Sequence, residues 1–189
     1  MLPGRAPGLH LAAQGRREAE ALAERLGRLK TVAAVYSSPL ERARETAAAI
    51  ARVRRLAVQL EPGLTECDVG RWGGIRLTEL RKTPEWRLVQ HYPSGFRFPG
   101  GESFTEMQAR VTFAMAQLVA RHPGRTVVAV SHADPIKAAV AHALGLHLDF
   151  LQRIVISPGS VTAVAYGTDG PVVLTVNSRG TDLGVRATP

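Results

Sequence analysis

Thr126-Val-Val-Ala-Val-Ser-His-Ala-Asp-Pro135 changes character twice over a short stretch. Thr126 to Val130 is apolar and rich in β-branched side chains, the composition of a short buried strand. Ser131-His132 supplies a polar tip, and Pro135 opens a helix that ends at Leu144-Gly145. A strand, a polar tip and a helix in that order make the unit from which parallel α/β sheets are built, and the tip is where such sheets carry ligand-binding and catalytic groups.

The flanking sequence repeats the alternation. Upstream, Ser103-Phe-Thr-Glu106 has capping-box spacing, and Met107, Val111, Met115 and Leu118 then share a helical face as far as about Arg121. Downstream, strands at about 160–166 and 171–176 flank Gly167-Thr-Asp-Gly170, a hairpin signal. Near the start, Ala19, Leu22, Ala23, Leu26 and Leu29 predict a helix over 16–29. A strand over Val32 to Tyr36 stops at Ser37-Ser-Pro39, a helix runs from Pro39 to about Val53, and a short strand over 57–60 closes at Glu61-Pro-Gly63. Residues 64 to 102 are irregular, with Trp72, Trp86 and short helices near 76–82 and 84–90, and a connection of that length usually forms a lid or rim. The order predicts a three-layer α/β/α sandwich whose mixed sheet is mostly parallel, with the final hairpin as an antiparallel edge. One feature is out of place: the chain opens in a Gly/Pro loop, where this fold expects its first central strand.

The 189 residues suffice for one domain, assigned to 1–178, with a polar tail over 179–189. Apolar residues at 45% and charged residues at 21% are those of a globular protein. No run reaches the ~18 apolar residues of a membrane span, and the N-terminus lacks a signal-peptide core, so a cytoplasmic location is expected. Cys67 is the only cysteine, which excludes an intrachain disulfide and a cysteine-based zinc site. The net charge of +8 raises nucleic-acid binding, but the basic residues are scattered. Their densest group, Arg52, Arg54 and Arg55, has no interleaved aromatics and ends a helix, where cations suit the dipole. A small anionic partner is the better expectation, with no nucleic acid and no membrane; the oligomeric state is open. All but three of the 24 basic residues are arginine and Asn177 is the only asparagine, a pattern of GC-rich coding.

Three segments carry chemistry. Arg42 lies one turn into the helix that follows a strand tip, where its guanidinium and the free helix N–H groups can meet one anion; alone, it also reads as a surface arginine. Glu66 follows a strand and precedes the Gly70-Arg-Trp72-Gly-Gly74 loop, where apolar neighbours would raise its pKa; alone, it also reads as an exposed turn residue. His132 ends the strand over 126–130, in a catalytic or a structural role. His10, His91, His122, His142 and His147 have no ligand-like spacing.

Together these segments resemble the histidine phosphatase superfamily, its phosphoglycerate-mutase-like branch, over nearly the whole chain. The resemblance rests on Ser37-Ser-Pro-Leu-x-Arg42-Ala-x-x-Thr46, Leu64-x-Glu66-x-x-x-Gly70-x-Trp72-x-Gly74, Pro99-Gly-Gly-Glu-Ser103 and Val130-Ser-His132, in the family's order and spacing. It implies a phosphomonoester hydrolase acting through a phosphohistidine, with no metal or organic cofactor required. It makes Arg42 a phosphate-binding arginine, His132 the second histidine at the phosphoryl group, and Glu66 the proton donor that later activates water. Arg5 is a candidate substrate contact.

The family's nucleophile sits in an Arg-His-Gly tripeptide at the end of the first strand, and no such tripeptide occurs in this chain. Met1-Leu-Pro-Gly-Arg5 aligns with the loop after it, so the first central strand and the nucleophile are expected upstream of Met1. A mis-assigned start in a GC-rich gene accounts for this best; the alternative is a catalytically inactive remnant that still binds a phosphate ligand. Phosphoglycerate mutase is the lesser alternative, because the chain is too short for the segments that close a mutase site.

Overall fold

The computed structural model describes residues 1–180. Alternation of side chains along two short strands organises the whole of it. β1 (Ala34–Ser37) is buried throughout, and it pairs in parallel with β2 (Val58–Leu60) on one side and β3 (Val127–Val130) on the other. Ala34 and Tyr36, with Val127 and Ala129, face one apolar cluster; Val35, with Val128 and Val130, faces the other. This is the two-residue period of a sheet covered on both faces.

The second cluster is closed by α1 (Ala13–Gly27) and α2 (Glu41–Arg54), whose Ala19, Leu22, Ala23, Leu26, Ala47 and Ile50 meet over the sheet. Many of these contacts are alanine, so the two helices lie close together. The first cluster is closed by α5 (Phe104–Arg121) and α6 (Ala133–Ala143). The capping box at the start of α5 is present: Ser103 Oγ accepts from the Glu106 N–H at 3.1 Å, and Glu106 accepts from the Ser103 N–H at 2.9 Å. α6 begins two residues before Pro135. Pro135 thus occupies the third helical position, where its missing N–H would have no intrahelical partner, and His132 becomes the residue at the helix entry.

Residues 64 to 102 carry α3 (Leu77–Leu80) and α4 (Pro84–His91) between single 3₁₀ turns. They are less a flap than half of a core. Trp72, Phe96 and Phe98 are buried, with ring centroids 5.1–5.5 Å apart. Two glycines let this segment fold back on itself. A Cβ on Gly101 would stand 2.2 Å from the Asp68 carbonyl oxygen, and one on Gly70, at φ +49°, 2.4 Å from that of Pro99.

The hairpin is antiparallel, β4 (Val161–Gly167) with β5 (Gly170–Ser178), and it forms its own two-stranded sheet rather than an edge bonded to the first. Among the described residues no strand pairs with the outer edge of β3, whose four residues are only half-buried. Yet Val161 of β4 packs into the same cluster as Val128 and Val130. Of the expected tail over 179–189, residues 181–189 lie outside the described residues. No described helix is long and apolar enough to cross a membrane.

Candidate active site

Parallel pairing sets the C-terminal ends of β1 and β3 side by side, Ser37 opposite Val130, and the Ser38 N–H donates to the Val130 carbonyl at 2.9 Å. The polar tips of both strands therefore meet. His132 is 8% exposed, with Nε2 2.7 Å from Ser38 Oγ. Burial first, then the positive charges of Arg42, Arg110 and Arg5, push its pKa down to about 3, so the imidazole is neutral at neutral pH.

α2 starts directly after the β1 tip and brings Arg42 to the same place. Its Nη2 donates to the Gly4 carbonyl at 2.8 Å, while its Nη1 is buried with no protein partner. A buried guanidinium nitrogen without an acceptor is costly unless an anion completes it.

Glu66 enters from the turn after β2. Its Oε1 accepts from the Cys67 N–H at 2.9 Å. Burial, reinforced by the nearby Asp134 carboxylate and opposed by the Cys67 N–H, Arg42 and Lys137, pushes its pKa up to about 7. Such a carboxyl can both give and take a proton near neutrality.

Sequence reasoning missed the frame behind Glu66. Glu102 accepts from Arg5 Nη2 at 2.9 Å, from Arg110 Nη2 at 2.7 Å and from the Asp68 N–H at 2.9 Å. Those two arginines in turn hold the turn's backbone: Arg5 Nε donates to the Glu66 carbonyl at 2.8 Å, and Arg110 Nη1 to those of Gly63 and Thr65 at 2.8 and 2.9 Å. Arg5 is thus largely committed to the protein, with Nη1 in a 3.6 Å ion pair with Asp68. Glu102 lies inside the Pro99-Gly-Gly-Glu-Ser103 motif, which was the one available signal; nothing local marked Arg110.

His132, Arg42 and Glu66 come together; other histidines do not join them. His10 pairs with Glu45, His122 with Tyr36 and His147 with Asp149. Among the described residues no group of three or more His, Cys, Asp or Glu forms a metal-ligand set. Next to the site lies a cavity of about 300 Å³ between the Trp86, Phe98 and Phe104 rings and the start of α6, where Asp134 and Lys137 line it. A cleft of about 380 Å³ between α1 and α2 holds none of Arg42, Glu66 and His132.

Residues 3–179 match the histidine phosphatase superfamily, branch 1. The chain belongs to that superfamily. Within it, the chain is 35% identical over 165 residues to the bifunctional protein Rv2228c of Mycobacterium tuberculosis, covering 87% of this chain but only 45% of that protein. It therefore spans about half the length of that relative. It is 37% identical over 150 residues to phosphoserine phosphatase 1 of Hydrogenobacter thermophilus, covering 77% of this chain and 71% of that enzyme. Among solved structures, Bacillus stearothermophilus YhfR superposes with a TM-score of 0.85 at 27% identity, over 94% of this chain and 90% of that one. The mycobacterial glucosyl-3-phosphoglycerate phosphatase Rv2419c gives 0.84 at 26%, over the same shares.

Proposed function

We propose that this histidine phosphatase chain is a phosphomonoester hydrolase that works through a phosphohistidine, with the nucleophilic histidine supplied by residues upstream of Met1. The observation that carries the proposal is the convergence of an unpartnered Arg42 Nη1, the buried His132 imidazole and the Glu66 carboxyl beside the adjacent ends of β1 and β3. Two relatives whose names include phosphoserine phosphatase and glucosyl-3-phosphoglycerate phosphatase support hydrolysis of small phosphomonoesters.

The open edge of β3 supports the upstream nucleophile. A strand inserted between β3 and β4, parallel to β3, would join the two sheets into one and end beside Ser131-His132. Its terminal histidine would attack phosphorus as the bond to the leaving oxygen breaks. Arg42 and His132 hold the equatorial oxygens, and Arg5 adds positive potential while bracing the Glu66 backbone. Glu66 gives its proton to the departing alkoxide. As a carboxylate it then takes a proton from water, whose oxygen displaces the imidazole and releases inorganic phosphate. No step calls for a metal or an organic cofactor.

The unpartnered Arg42 nitrogen equally favours a second reading, an anion-binding protein without turnover. Reading the DNA upstream of the start, and assaying the extended and given chains on a chromogenic phosphomonoester without added metal, separates the two. Turnover by the extended chain alone supports the hydrolase. No in-frame strand and Arg-His-Gly upstream, or no turnover by the extended chain, leaves the anion binder.

A further inference from the structure

The two serines at the tip of β1 are fully buried, and the fold uses them differently. Ser37 Oγ donates to the Ser38 carbonyl at 2.8 Å, and the Ser38 N–H donates to the Val130 carbonyl, so both backbone groups of Ser38 are engaged. Its hydroxyl oxygen already accepts from the Leu40 N–H at 3.4 Å, at the entry to α2. The hydroxyl proton is then the one group of Ser38 still to be placed. Its acceptor among the described residues is His132 Nε2, at 2.7 Å. Were the ring to donate instead, that hydroxyl proton would stand without an acceptor in a fully buried position, which costs more than the hydrogen bond gains.

A neutral imidazole carries a single N–H, and a hydrogen bond accepted at one nitrogen puts that proton on the other. The fully enclosed side-chain nitrogens and oxygens left without a partner among the described residues are Arg25 Nε and Arg42 Nη1. His132 Nδ1 has no protein partner among those residues either, so it retains access to the site at the strand tips. From this we infer that Ser38 is a positioning residue: its hydroxyl donates to His132 Nε2, holds the ring proton on Nδ1, and so offers the phosphoryl oxygens an N–H donor. The inference rests on the phosphate site proposed above. The opposite tautomer would turn a lone pair toward those oxygens and repel them, so only the Nδ1–H form lets an uncharged His132 work alongside Arg42 Nη1. The role falls on the second serine of Ser37-Ser-Pro-Leu-x-Arg42. One short segment thus carries both the arginine of the site and the residue that sets its histidine.

Nitrogen-15 NMR reads the ring proton directly and needs neither a nucleophile nor turnover. In the histidine-labelled chain, and in its upstream-extended form, the His132 signals are assigned by their loss in His132→Asn. Near neutral pH the expected pattern is a protonated Nδ1 and a bare Nε2. Ser38→Ala should move the proton toward Nε2, the nitrogen that a free neutral imidazole side chain prefers. It should also weaken inorganic phosphate roughly tenfold in calorimetric titration, the worth of one hydrogen bond to a charged group. Ser37→Ala removes an equally buried hydroxyl that bonds backbone rather than His132, and should leave the tautomer as it was. A protonated Nε2 in the parent overturns the assignment without any variant having to fold. So does a tautomer that Ser38→Ala leaves unmoved, or that Ser37→Ala moves as far, and so does an unchanged phosphate affinity once the proton has moved. If the tautomer follows Ser38 but neither form of the chain binds inorganic phosphate, it is the phosphate site itself that falls.

Discussion

Glu66 and His132 are perturbed in opposite directions by the same burial, because burial disfavours whichever form is charged. In the proposed mechanism Glu66 must be protonated when the leaving group departs. With its pKa near 7, kcat/KM for an alkyl phosphate is expected to fall as pH rises through about 7. Glu66→Gln should remove that limb and cut kcat/KM about a hundredfold or more for alkoxide leaving groups, while kcat/KM for p-nitrophenyl phosphate, whose leaving group departs unaided, falls far less. Equal losses for both leaving groups would argue against the acid role. The same shift has a consequence for stability. The folded form keeps a proton that the unfolded chain releases above about 4.5, so stability contributed by Glu66 declines between pH 4.5 and about 7. For His132, lowered from 6.5 to about 3, the unfolded chain takes up a proton first, and stability is lost as pH falls through that range. Urea titrations at pH 8 should accordingly find Glu66→Gln more stable than the parent, by at most about 3 kcal/mol. A less stable variant would contradict the burial assigned to Glu66.

At the scale of elements, the turn carrying Glu66 depends on a frame drawn from three distant segments. Glu102, with its side chain 15% exposed, is shared by Arg5 and Arg110. Glu102→Ala takes a shared acceptor from both arginines and from the Asp68 N–H, while each arginine keeps its carbonyl partners, so a loss of roughly 1–3 kcal/mol is expected, read from the denaturation midpoint. Gly101→Ala tests the frame sterically, since the new methyl would meet backbone rather than a movable side chain; a loss of about 1–3 kcal/mol is expected, with a lower kcat wherever turnover is measurable. Neither effect was legible beforehand, because Arg5 and Glu102 stand 97 residues apart in the chain. By contrast, the capping box of α5 was legible at once, since both of its hydrogen bonds close within three residues. The start of α6 was displaced because proline is accepted throughout the first helical turn, not at one position alone.

Across the whole molecule, the sheet is divided between β3 and β4, and the division is where the proposed upstream strand belongs. Hydrogen exchange offers a direct check. In the given chain, β3 amides that point away from β1 should exchange faster than those of β1, and the upstream-extended protein should protect them. Unchanged β3 exchange in the extended protein would leave the added segment outside the sheet.

Read alone, the sequence was enough for the α/β class, the order of helices and strands, the family resemblance, and the candidate trio of Arg42, Glu66 and His132. Each of these depends on patterns that repeat within a few residues or on short motifs in series. Tertiary structure alone decided that the irregular stretch 64–102 forms core, that Arg5 bonds Glu102 and the Glu66 carbonyl, that Arg110 bonds Glu102 and the backbone of the Glu66 turn, and that the hairpin forms a sheet of its own. His132 and Ser38 touch across 94 residues of chain. The physical reason is range: periodicity and capping are written in neighbouring residues, whereas burial, pKa and ion pairing depend on which distant segments the fold brings together.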